Sequence, residues 1–230
     1  AGVYAEKAVV EATRAFALPA SLSFEQGAAL GVPYATAHRA LFHHAGAKAG
    51  ETVLVHGASG GVGTAAAQLA AAAGLVVIGT AGGAEGVAFL KRQGVRHALD
   101  HRAPGYLDET VRLAGGRGPD IVVEMLANVN LPEDLRVAAP RGRVVIVGSR
   151  GKVEVDPRLT MSKDLVVRGM SLWNMSDAER ALTHAALARG LSSGALRPVV
   201  GAVFTLADAA KAHEAVLSPG ARGKVVLKPR

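Results

Sequence analysis

A glycine-rich string between a short apolar run and an alanine-rich stretch constrains this chain more than any other feature. Thr52-Val53-Leu54-Val55-His56 reads as a buried strand, and Val62–Ala73 reads as a helix. Between them lies His56-Gly57-Ala58-Ser59-Gly60-Gly61-Val62-Gly63. A strand that turns directly into a helix needs glycine at three kinds of place: the tight turn, the point where backbone approaches a ligand, and the helix–strand contact. The free N–H groups and positive dipole end of the helix then face an anion, which in this setting is the pyrophosphate of a dinucleotide. No Gly-Lys-Ser/Thr follows, so the string is not an NTPase phosphate loop.

The rest of the middle of the chain repeats the same alternation. Leu75-Val76-Val77-Ile78-Gly79, Asp120-Ile121-Val122-Val123-Glu124 and Arg143-Val144-Val145-Ile146-Val147-Gly148 read as strands, and His97-Ala98-Leu99-Asp100 as a shorter one. Ala84–Gln93, Tyr106–Ala114 and Leu131–Ala138 read as the helices between them. Strand alternating with helix at this spacing predicts α/β architecture, a doubly wound parallel sheet of the Rossmann type.

The flanks differ. Residues 1–20 read as the last strands of another unit, ending near Pro19. Ser23-Phe24-Glu25-Gln26 and Ser176-Asp177-Ala178-Glu179 have capping-box spacing. The second opens a helix with Ala178, Ala181, Leu182, Ala185 and Ala186 on one face. A further helix starts at Thr205–Asp208 and stops at Ser218-Pro219-Gly220, and Gly223-Lys224-Val225-Val226-Leu227 reads as a closing strand.

Composition removes several alternatives. Half the residues are apolar and a fifth charged, which excludes a disordered chain. With no cysteine there is no disulfide scaffold and no Cys-ligated zinc, and the chain fits a reducing, cytoplasmic setting. From Thr52 to Ala84 there is no formal charge, long enough to suggest a membrane span, but eight glycines interrupt it. Buried parallel strands give the same apolar pattern. The net charge of +7 permits nucleic acid as a partner, yet the basic residues are scattered, and the densest groups, Arg92–Arg96, Arg141–Arg143 and Lys224–Arg230, hold no run of five or six.

The end of the second strand selects the cofactor. A carboxylate there would bind the ribose 2′-hydroxyl of NAD and repel a 2′-phosphate. Here the chain reads Thr80-Ala81-Gly82-Gly83-Ala84-Glu85, small and neutral, with Lys91, Arg92, His101 and Arg102 as candidate cations. NADPH is therefore the expected cofactor.

These stretches, taken together with Gly2-Val3-Tyr4-Ala5-Glu6, Leu22-Ser23-Phe24, Glu124-Met125-Leu126-Ala127-Asn128-Val129-Asn130-Leu131 and Val147-Gly148-Ser149-Arg150-Gly151, resemble the zinc-free quinone reductases of the medium-chain dehydrogenase/reductase superfamily, the animal zeta-crystallins above all. The resemblance runs the whole length. It implies a GroES-like catalytic domain whose end is residues 1–25 and whose carboxyl-terminal remainder is residues 168–230, flanking a dinucleotide domain over 26–167. It implies an amino-terminal unit on the order of 100 residues ahead of Ala1. Ser59, Gly60, Gly61 and Val62 would wrap the pyrophosphate, and Gly82 and His101 would border the adenosine ribose. Asn130, taken as a loop residue, and Val147, Gly148, Ser149 and Arg150 would line the ribose–nicotinamide side, closed by Met170, Ser171 and Leu172.

The resemblance further implies a quinone or another electron-poor alkene as substrate and a homotetramer, with the Arg143–Gly148 strand as a possible subunit edge. Binding to AU-rich mRNA and a lens structural role are alternatives from the same relatives. Zinc-dependent members carry a cysteine near Leu30–Thr36; here there is none, and the adjacent His43 and His44 cannot share one metal from a helix. Tyr4, Tyr34 and Tyr106 read as structural aromatics, so no catalytic acid is assigned.

Overall fold

Residues 3–229 are described by a computed structural model; Ala1, Gly2 and Arg230 lie outside the described residues. After a short helix α1 (Phe24–Ala28) comes α2 (Gly31–His38), which widens into a π turn over Arg39–His44. The alternating region follows: β1 (Thr52–Val55), α3 (Gly61–Ala72), β2 (Val76–Ala81), α4 (Gly83–Arg92), β3 (His97–Asp100), α5 (Tyr106–Leu113), β4 (Ile121–Glu124), α6 (Ala127–Val137) and β5 (Arg143–Ile146). A short α7 (Arg158–Met161) leads to β6 (Val166–Gly169). The chain ends through α8 (Asp177–Ser192), β7 (Val200–Thr205), α9 (Ala209–Leu217) and β8 (Lys224–Lys228).

Strands β1 to β6 form one parallel sheet in the order β3-β2-β1-β4-β5-β6. The order reverses direction between β1 and β4, and open sheets bind ligands in the crevice outside that switch point. Strands β7 and β8 pair separately.

Alternation along each strand sends side chains to two cores. Leu54, Ile78, Val122 and Val144 face α5 and α6, meeting Leu107, Leu131 and Leu135. Val53, Val55, Val77, Val123 and Val145 face α2 and α3, meeting Tyr34, Leu41 and the alanines Ala65, Ala66 and Ala70. Each fully buried aliphatic contributes about 1.5–3 kcal/mol. The alanines let α3 lie close against both sheet and α2. No helix among the described residues is long and apolar enough to cross a membrane.

Both capping boxes form: Ser23 Oγ accepts from Gln26 N, and Ser176 Oγ from Glu179 N, each with the return bond. Several expectations are corrected. Residues 3–20 contain no strand; the only regular element there is a 3-10 turn at Ala12–Arg14, and Val9 and Val10 stand exposed with no ladder to join. Helix α6 begins at Ala127, a full turn before Leu131. Pro132 lies inside it. Asn130 is thus helical, not in a loop. On α8 the buried positions are Thr183 and Leu187, while Ala181, Leu182 and Ala185 are exposed. The Arg143–Gly148 strand is flanked on both sides by β4 and β6, so the free edge on that side of the sheet is β6.

Candidate cofactor site

The glycine-rich loop leaves β1 along its neighbours. His56 N donates to Val123 O (3.1 Å) and Ala58 N to Thr80 O (2.8 Å), holding the turn against β4 and β2. Gly57 sits at φ +55°, a left-handed conformation that favours glycine. Gly60 caps α3 without a side chain to occupy the first N–H groups, which leaves them for a ligand. A Cβ on Gly63 would collide with Gly57 O and stand 2.5 Å from Ala58 Cα, so glycine is required for the helix to meet its own loop.

A second chain segment completes this loop. Gly223 N donates to Ser59 O (2.7 Å), Gly223 bridges Gly60, and a Cβ on Gly61 would touch Lys224 Cδ at 3.4 Å. Lys224 therefore lies beside the glycine-rich loop, a cation that its place in a basic tail did not single out. Its cue was its position directly after a glycine at the start of a strand.

At the end of β2 the neutral Gly82 lies under the Arg102 guanidinium: a Cβ there would sit 3.1 Å from Arg102 Nε and Nη2. His101, exposed, joins by donating its main-chain N–H to Ala81 O (3.1 Å). Lys91 and Arg92 are in the last turn of α4, away from Gly82 at its start. Two carboxylates lie near, and both are engaged. Asp100 Oδ1 accepts from Gly83 N and Arg102 N (2.9 Å each), which holds this carboxyl below its usual range. Glu85 is ion-paired with Arg222.

Across the switch point, Ala127 N donates to Gly148 O (2.9 Å) and Arg150 N to Asn128 Oδ1 (2.8 Å). Gly148 is fixed as glycine because a Cβ would meet Met125 O at 2.5 Å. Ser149 and Arg150 are exposed, with Ser149 Oγ donating to Gly151 O (3.0 Å). Met170 N continues the sheet by donating to Ile146 O (3.0 Å). The next residue, Ser171, is held from below: the buried Arg39 donates to Ser171 O (2.5 Å) and Asn174 O (3.2 Å), and Leu172 starts the turn between them. The sequence-predicted residues thus gather at the carboxyl edge of one parallel sheet.

Beneath this edge lies a cluster that the sequence did not reveal. His56, Glu124 and Asp134 are all buried, with ligand atoms within 4.8 Å of one another. His56 Nε2 is 2.8 Å from Asp134 Oδ1 and 3.6 Å from Glu124 Oε2. Glu124 accepts from Leu126 N and from Asn130 Nδ2, the latter at 3.2 Å to each oxygen. The available cue was a carboxylate ending the apolar strand Ile121–Glu124, with another between Leu131 and Leu135.

Burial pushes Glu124 up to about 7, against the pull of His56, and burial pushes Asp134 up to about 7 as well. A raised carboxyl stays protonated in the fold after the unfolded chain has released its proton. Its stabilising contribution is whole below roughly pH 4 and is lost as the pH rises to about 7. Burial lowers His56, which acts oppositely on the acid side. Thermal denaturation is therefore expected to show E124Q and D134N gaining on the wild type between about pH 5 and pH 8; a gap constant across that range would contradict the assignment.

Comparison with known proteins agrees with the geometry. The family described as "Zinc-binding dehydrogenase" matches residues 61–187. The quinone oxidoreductase of Sus scrofa is 48% identical over 98% of this chain, which spans 69% of that relative. A solved structure described as an NAD-dependent alcohol dehydrogenase superposes with a TM-score of 0.91 at 31% identity, covering 100% of this chain and 66% of its own. The quinone oxidoreductase of Thermus thermophilus, solved also with NADPH, gives 0.82 at 35% identity, covering 93% and 69%. The chain belongs to the zinc-binding dehydrogenase family of the medium-chain dehydrogenase/reductase superfamily, alongside the quinone oxidoreductases.

Proposed function

We propose that this chain carries the NADPH site of a zinc-independent reductase acting on quinones or related electron-poor alkenes. The observation that carries the cofactor choice is Arg102 laid over Gly82 with Asp100 and Glu85 both engaged. A 2′-phosphate placed there meets a guanidinium rather than a free carboxylate. The first-turn N–H groups of α3 and the Lys224 ammonium would hold the pyrophosphate, and the Val147–Arg150 and Met170–Leu172 segments would flank the nicotinamide side. When bound, NADPH supplies the hydride. The protein's part is to hold that cofactor in register with the substrate and to keep the crevice walls fixed.

The residues do not fit a catalytic zinc. There is no cysteine anywhere in the chain. On the π turn and helix near Leu30–Thr36, His38 Nδ1 is 3.1 Å from Thr183 Oγ1, and His43 is paired with Glu179 at 3.7 Å. We take 26–167 as the dinucleotide unit, with 1–25 and 168–230 belonging to a second, catalytic unit; the six-stranded sheet, which ends with β6 at Val166–Gly169, supports the first. The exposed β6 edge, Val166–Gly169, supports a homo-oligomer built across that strand.

The test is the ratio of kcat/KM for NADPH over NADH. It is expected to favour NADPH, and R102A is expected to cut the ratio by about tenfold, the size of one lost charge-assisted hydrogen bond. A wild-type preference for NADH, or an unchanged ratio in R102A, overturns the cofactor reading.

A further inference from the structure

The buried cluster and the crevice wall are one connected piece. His56 ends the β1 side of the switch point and opens the glycine-rich loop, while Glu124 ends β4. The two strands are neighbours, so His56 N reaches Val123 O and the two side chains emerge together. Helix α6 then returns Asn130 and Asp134, four residues apart and so on one face, to the same point. One Asp134 oxygen, Oδ2, is buried with no hydrogen-bond partner, and the two carboxyls place oxygens within 4.8 Å of each other. A carboxylate pair in such a place is stable only when a proton is shared between them. By residue type the trio is a metal-ligand set, but His56 Nε2 is already on Asp134 and Glu124 is already on Leu126 and Asn130.

We propose that Glu124 and Asp134 hold one proton in common, and that this proton positions Asn130 and the Leu126–Ala127 turn against the glycine-rich loop and so sets cofactor affinity. With the proton present, Glu124 keeps both grips. Its loss places two buried negative charges within 4.8 Å of each other, and their repulsion turns Glu124 away from Asp134, carrying with it the Leu126 and Asn130 donors that the carboxylate still holds. Three other titratable groups face the cluster. Tyr106 on α5 is raised by burial and then by Asp134 and Glu124, so it stays neutral. Glu133 on α6 adds to the upward push on Asp134. His101, on the turn after β3, is lowered by burial and carries a small repulsion from His56. These are positioning residues, not catalytic ones.

This inference rests on the NADPH reading, and one titration separates the two. NADPH binding is followed by nucleotide fluorescence from about pH 6 to pH 8.5, on the protein and on E124Q. Glutamine keeps the acceptor for Leu126 and Asn130 and permanently replaces the shared proton with an amide N–H. Wild-type Kd is expected to rise about tenfold over the range, with E124Q holding near the low-pH value throughout. Taking the ratio of the two cancels titration of the cofactor's phosphate and of His101. Parallel profiles with binding intact overturn this inference alone. Absence of saturable NADPH binding by the wild type overturns the cofactor reading and this inference with it. Should E124Q fail to fold, D134N carries the same comparison, and a D134N profile parallel to the wild type overturns the proposal equally.

Discussion

Alanine at position 63 is expected to abolish NADPH binding at concentrations that saturate the wild type. The added Cβ would overlap Gly57 O and come within 2.5 Å of Ala58 Cα and 2.8 Å of Gly57 C. All three are backbone, so no side chain can rotate away. Either α3 shifts along its axis or the loop is pushed outward, and in both cases its N–H groups leave the arc that faces the pyrophosphate. Overpacking of this kind costs about 1–3 kcal/mol of stability. The loss of affinity is larger, about 100-fold, because several N–H contacts move together. Gly61 is the internal comparison: its Cβ would meet Lys224 Cδ at 3.4 Å and Lys224 Cα and Cβ at 3.6 Å, all ordinary contact distances. Fluorescence titration beside a thermal melt decides the matter. A G63A protein that binds like the wild type would show that the loop does not hold the cofactor.

Loss of the Arg39 side chain is expected to cost about 3 kcal/mol of folding stability, in the range for breaking a buried charged network from one side. The guanidinium serves Ser171 O, Asn174 O and Glu179 together, from a largely buried site. Methionine fills the volume but leaves two carbonyls and a carboxylate short of a donor. Lysine is expected to recover little, because a point ammonium cannot fork among three acceptors. Urea denaturation of R39M and R39K measures both. A loss below about 1 kcal/mol for R39M would mean that the Ser171–Asn174 turn stands without this support.

The sheet was legible because its information is local. Each strand is an apolar run closed by glycine or a helix start, and the glycine string fixes which end binds. What could not be read required partners. Residues 3–20 have strand-like composition, but a strand exists only beside another, and none lies alongside here. Val166–Gly169 is exposed at the sheet edge and lacks the apolar run that marks β1, β2 and β4. Asn130 was chosen from resemblance as a wall residue; its amide is seen to be bound to Glu124, a contact six residues away that depends on α6 starting early. The cations divided by geometry, since Arg102 reaches Gly82 while Lys91 and Arg92 stand at the other end of α4. Lys224 stands beside Gly61 through contacts that span most of the chain, which no window of sequence can show.

That last contact orders events in time as well as in space. The six-stranded sheet is complete once β6 has emerged, at Gly169, with most of the core on both faces already present and Leu187 and Leu196 still to join it. The bridge from Gly60 to Gly223 closes a loop of more than half the chain. Contacts of such sequence separation form late, and during synthesis they must wait for the residues themselves. A growing chain would therefore acquire its stable sheet first and its finished nucleotide pocket almost last. The same arrangement makes the glycine-rich loop responsive to whatever is done to the far end of the polypeptide.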